Sequence, residues 1–115
     1  MTLAERETEL TIANAWKTVR DAERTLYQAR ARNHAADRAL RVAEDFYFLG
    51  DDTTLVDLAH IEKARQERSI AEASYRSANV ALKKARKSYR ESVTLFQKEY
   101  GREPDPRIIY DHLAE

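Results

Sequence analysis

IANAWKTVRDAERTLYQARARNHAADRALRVA, residues 12–43, is the stretch that decides the fold. Alanine returns in it every seventh residue, at Ala15, Ala22, Ala29, Ala36 and Ala43. Between these stand Ile12, Val19, Leu26, Asn33 and Leu40, followed by Tyr47. One large and one small seam residue per heptad is the pattern of helices packed side by side. Alanine at every second seam position lets two backbones approach closely, because no long side chain holds them apart. Further along, Ala64, Ala71, Ala78 and Ala85 alternate in the same way with Ile61, Arg68, Tyr75, Leu82, Tyr89 and Phe96.

What separates the two series is Gly50-Asp51-Asp52-Thr53-Thr54, a glycine stop followed by good N-cap residues. Outside it, neither glycine nor proline interrupts the chain until Gly101. The expected fold is therefore all-α: a long antiparallel two-helix coiled-coil hairpin with an alanine-rich seam. Its helices are expected over about residues 2–48 and 54–100, with a turn at 49–53, so that residues 1–101 form one hairpin domain. Residues 102–115 are expected to form a linker and a short C-terminal helix, Arg107–Leu113, opened by Asp105 as N-cap and Pro106 at the first helical position. At 1.5 Å per residue each long helix would extend about 65–70 Å.

Folding the chain back at Gly50-Asp51 predicts a register of like against like. It sets Leu40 opposite Ile61, Leu26 opposite Tyr75, Val19 opposite Leu82 and Ile12 opposite Tyr89. It also sets Ala36 near Ala64, Ala29 near Ala71 and Ala15 near Ala85. The two polar breaks, Asn33 and Arg68, then share one layer, read as a device that holds the register at some cost in stability.

Composition narrows the function classes. Of 115 residues 35% are charged, yet twenty basic and twenty acidic residues cancel, so no bulk charge points to nucleic acid. The chain has no cysteine, which removes thiolate chemistry and disulfides. No apolar run approaches the roughly 18 residues of a membrane span. The opening MTLAERETEL lacks the charged-then-apolar order of a signal peptide, so the expected location is cytoplasmic as synthesised, with association to a virion or other assembly open.

Catalysis needs a nucleophile, a base and an electrophile, or metal ligands at helical spacing. The best candidate here is Asp57 with His60, and the facing positions Val42, Ala43 and Glu44 do not complete a di-metal set. That pair reads as a solvated helix face, and His112 as surface or packing. No enzyme, cofactor or metal is expected. The basic run Lys83, Lys84, Arg86, Lys87 and Arg90 could meet phosphates or an anionic surface. The reading preferred is ion pairing inside the hairpin, with Glu5, Glu7 and Glu9 at the same open end.

One seam does not use up the apolar residues. Tyr27, Ala31, Ala35, Ala39, Val42 and Phe46 form a second stripe on the first helix. Leu55, Ala59, Ile70, Ala73, Ser77 and Val80 partly match it on the second. At the tip, Phe46, Tyr47, Phe48 and Leu49 cannot all enter a two-helix seam, and with Gly50, Thr54 and Leu55 they are the candidate partner interface. Trp16 is expected to close the open end against Leu95, Phe96, Ile108, Ile109, Tyr110 and Leu113. A stripe and a tip left over in this way point to a protein partner or to further copies of the chain. The expected function is a non-catalytic interaction or assembly module. A helical-tube component of a phage virion, or a binder of nucleic acid or anionic surfaces through residues 83–90, are the alternatives.

Leu40-x-x-Ala43-x-x-x-Tyr47-x-x-Gly50, then Thr54-Leu55-x-Asp57-Leu58, then Ala64, Ala71, Tyr75, Ala78 and Leu82, resembles the periplasmic helical hairpin of TolC-like outer-membrane efflux channels. The likeness covers residues 26 to 100. It implies hairpins that pack side by side into a tube and a tip, with Tyr47, Gly50 and Thr54, at which an adaptor docks. The turn holds one residue more than the family's, and the chain has no stretches alternating as membrane strands do.

Overall fold

The computed structural model describes residues 2–49 and 55–107, and only the backbone of residues 47–49 and 55–57. Two helices, α1 (Leu3–Leu49) and α2 (Leu55–Tyr100), pack against each other as a hairpin, with no strand among the described residues. Their bounds fall within one residue of those expected from the heptads. The turn with Gly50 and Thr54 lies outside the described residues, as does Ile108–Glu115. Of the expected terminal helix only its opening is described: the Asp105 carboxylate accepts the Arg107 N–H at 2.9 Å, as an N-cap does.

Both ends of this long helical stretch are capped by local chemistry. Thr2 Oγ1 accepts the Glu5 N–H at 3.1 Å, which satisfies one of the orphan donors of the first turn of α1. After α2, Gly101 takes a left-handed φ of 66° and its N–H reaches the Gln97 carbonyl at 2.8 Å. That is the single-bond glycine stop, and it favours glycine because a side chain is disfavoured at this φ. Within the helices Thr8, Thr11, Thr18, Ser92 and Thr94 direct their hydroxyls to the carbonyl four residues earlier, which keeps these weak helix formers satisfied.

The contacts gather into two compact units. One comprises Met1–Arg24 with Val80–Glu115, the other Thr25–Asn79. In the second unit Leu40, Ala43, Ile61 and Ala64 form one buried cluster, and Ala71 and Ala78 are buried too. In the first, Ile12, Ala13, Val19, Leu82 and Phe96 are buried, and Trp16 packs on Tyr89 with ring centres 5.0 Å apart and planes tilted by 48°. Nearly all of these are seam residues of the heptads; Ala13 and Trp16 stand beside the seam.

The register differs from the expected pairing of like with like. Glu44 meets Arg65 at 3.9 Å in one unit, and Glu23 meets Arg86 at 3.5 Å in the other. Each of these four residues directly follows a seam alanine: Ala43, Ala64, Ala22 or Ala85. Side chains lean toward the N-terminus of their own helix, so in an antiparallel pair such residues converge only when the alanines are staggered. The stagger sets Ala43 against Ile61 and Leu40 against Ala64, and likewise Ala22 against Leu82 and Val19 against Ala85. Ala36 shares a groove with Ala71, while Ala15 and Ala85, expected near each other, do line one groove. Large against small fills the seam evenly, whereas large against large would pry the helices apart where alanine faced alanine across a gap.

Candidate interaction surfaces

The polar layer comes out differently from its sequence reading. Arg68 does not sit in the seam beside Asn33. It is exposed and donates from Nε to Asp37 Oδ1 at 3.1 Å, and Asp37 also meets Arg41 at 3.3 Å. Asn33 is half-buried. A guanidinium buried in a thin seam would lose hydration without full compensation, so its stem lies along the helix and its head reaches a carboxylate at the edge. Together with Glu44 and Arg65, this gives unit 25–79 a charged edge whose ion pairs are made within the chain.

Elsewhere on the same unit lies an open groove of about 340 Å³. Ala35, Ala36, Ala39 and Ala71 line it with Ile70, and Arg32 and Glu67 add one charge from each helix. Second-stripe residues of α1 and of α2 thus share one concave surface. No partner in an ion pair is found for Arg32 or Glu67 among the described residues. The rest of the stripe stands outward: Tyr27, Ala31, Val42, Ala59, Ala73 and Ser77 are exposed, and Ile70 is 59% and Phe46 75% exposed. Val80, in the other unit, is exposed as well. Tip residues Tyr47, Phe48, Leu49 and Leu55 have no described side chains, and Gly50 and Thr54 lie outside the described residues.

Unit 1–24 with 80–115 holds what the sequence reading missed. Glu9 is 1% exposed, and Arg102 donates through Nη2 both to Glu9 Oε1 and, at 3.1 Å, to Glu5 Oε2. The guanidinium also lies 5.0 Å from the centre of the Phe96 ring, which itself packs against Tyr100 at 4.8 Å. The hydrogen bonds to Glu9 and then to Glu5 raise the Arg102 pKa above its ordinary value. The second Glu9 oxygen has no hydrogen-bond partner among the described residues. So Glu5 and Glu9 do not pair with the 83–90 run as expected. They clamp the segment after α2.

Of that basic run, Arg86 pairs with Glu23, while Lys83, Lys84, Lys87 and Arg90 are exposed. Leu95, expected beside Trp16, is exposed too. Its expected companions Ile108, Ile109, Tyr110 and Leu113 lie outside the described residues. His60 is exposed, and no three metal-ligating side chains come together among the described residues. Nor is any helix among them long and apolar enough to cross a membrane. Comparison with protein-family models, with curated proteins and with solved structures finds no match.

Proposed function

We propose that this chain is a non-catalytic interaction or assembly module, a hairpin that bundles with further copies or docks a partner at its 46–50 tip. One observation carries the reading: Tyr27, Val42, Phe46, Ile70 and Val80 remain exposed although seam residues of both helices, among them Val19, Leu40, Ile61 and Leu82, are already buried. A two-helix hairpin buries one stripe per helix, and large apolar side chains in a second stripe cost solvation unless something covers them. The likeness of the tip to TolC-like hairpins is what suggests the tip as a docking end.

Sedimentation with light scattering over a wide concentration range tests this. Replacing Tyr27, Val42, Ile70 and Val80 together with serine should leave far-UV helicity in place and lower the association state or the partner affinity. Identical behaviour of the two proteins in both assays would sink the proposal.

A further inference from the structure

We infer that Glu5, Glu9 and Phe96 form a guanidinium-binding cage, which Arg102 of the same chain occupies as a tethered plug and which an arginine side chain of a partner protein takes over. This contact lies at the open end and is independent of the second stripe and the tip.

The walls of the cage and its occupant come from different parts of the unit. Glu5 and Glu9 stand one turn apart on α1, and Phe96 is fully buried on α2, so two helices hold the walls. The occupant sits beyond α2, on the segment that follows Gly101. Of residues 102–107, only Arg102 makes a hydrogen bond to a helix among the described residues. Two more, from Arg102 Nη1 to the Glu103 carbonyl and from the Arg107 N–H to the Asp105 carboxylate, stay within the segment. At its root Gly101 has a left-handed φ of 66° and open space around it. A segment anchored through one side chain on an unobstructed glycine can swing away and leave the walls standing.

Those walls select a guanidinium. Glu9 is 1% exposed, Glu5 accepts beside it, and the Phe96 ring centre lies 5.0 Å from Arg102 Cζ. A planar guanidinium can lie against a ring and turn an edge of N–H donors to carboxylates at once; a compact ammonium has no such edge.

Arg102 fills the cage incompletely. One nitrogen, Nη2, serves both carboxylates, while Nη1 turns back to the Glu103 carbonyl. Glu9 Oε2 is buried and has no hydrogen-bond partner among the described residues. A buried carboxylate oxygen left unbonded costs free energy, which a bond from a second nitrogen would recover. A guanidinium not tied to position 102 can present two nitrogens to Glu9. Solvent already reaches the site, since the Arg102 side chain is 37% exposed. What the tether supplies instead is local concentration, so the plug holds until an arginine arrives with further contacts of its own.

Arg102→Ala empties the cage, and chemical rescue reads it. Millimolar methylguanidinium, far below the denaturing range of guanidinium, should raise the Tm of Arg102→Ala and leave that of the wild type unmoved. Methylammonium should not do so, and adding Glu9→Gln should abolish the rescue. Rescue by methylammonium to the same extent, or rescue that survives Glu9→Gln, overturns the cage. The wild-type chain carries the deciding measurement, which needs no variant to fold. Its Arg102 Nε–H signal in NMR should move toward that of a free side chain as N-acetylarginine amide is added. Displacement should need at least about tenfold more probe than fills Arg102→Ala, because the tethered plug competes. Free arginine, whose own carboxylate is repelled by Glu5 and Glu9, should displace less well. An Arg102 signal that stays in place at every probe concentration overturns the exchange and makes the contact a fixed clamp. Free arginine displacing better than the amide overturns the protein partner.

Discussion

Replacing Ala71 with leucine tests the alanine seam most sharply. Ala71 is 2% exposed on α2 and shares a groove with Ala36 of α1, where a longer side chain would go. Intrinsic helix preference changes by only a few tenths of a kcal/mol between alanine and leucine. The effect therefore comes from overpacking a contact that only a methyl group fits, about 1–3 kcal/mol of lost stability. For a chain of this size that corresponds to a fall of roughly 5–20 °C in Tm. Far-UV circular dichroism melts at matched concentration measure it, matched because association would itself raise Tm. Ser69→Leu, an exposed position two residues away, supplies the same side chain without the seam and should lose little. If Ala71→Leu melts with the wild type and with Ser69→Leu, the close approach at alanine is wrong.

Phe96→Ala should cost about 3–5 kcal/mol in urea unfolding, since the ring is fully buried between Tyr100 and Arg102, whereas Leu95→Ala next to it should cost little. Gly101→Ala should destabilise by about 1 kcal/mol through its left-handed backbone alone, because a Cβ there would meet nothing within 4 Å. Arg102→Met should destabilise and Glu9→Gln added to it should recover part of the loss, because the single variant strands a buried carboxylate. Since the Arg102 pKa is raised, its contribution is fully present below the ordinary arginine range and lost only as pH climbs through the raised value. The gap between wild type and Arg102→Met should thus stay constant from neutral to mildly alkaline pH. Phe46→Ser with Phe48→Ser should keep helicity intact while reducing association or partner binding; collapse of the helical signal would make the tip structural instead.

Much of the fold was legible because it is periodic. Residues seven apart return to nearly the same side of a helix, so Ile12, Val19, Leu40, Ala43, Ile61, Ala64, Ala71, Ala78, Leu82 and Phe96 announced their burial by spacing alone. Glycine and the capping residues bounded both helices within one residue. The second stripe was visible by the same rule, and Tyr27, Val42, Phe46, Ile70 and Val80 are indeed exposed. Glu9 carried no such signal. An acidic residue near a helix start reads as solvated, and its partner Arg102 stands 93 positions away beyond a glycine stop.

The sequence by itself determined that there are two helices, where they end and which stripe of each is buried, because those properties follow from local chemistry and from helical period. Tertiary structure decided the stagger between the helices. Period is blind to sliding: moving one helix along the other by a turn keeps every seam residue in the seam. Only three-dimensional contacts could choose, and they set alanine against the large residues, sent Arg68 out to Asp37, and left Arg32 and Glu67 in an open groove.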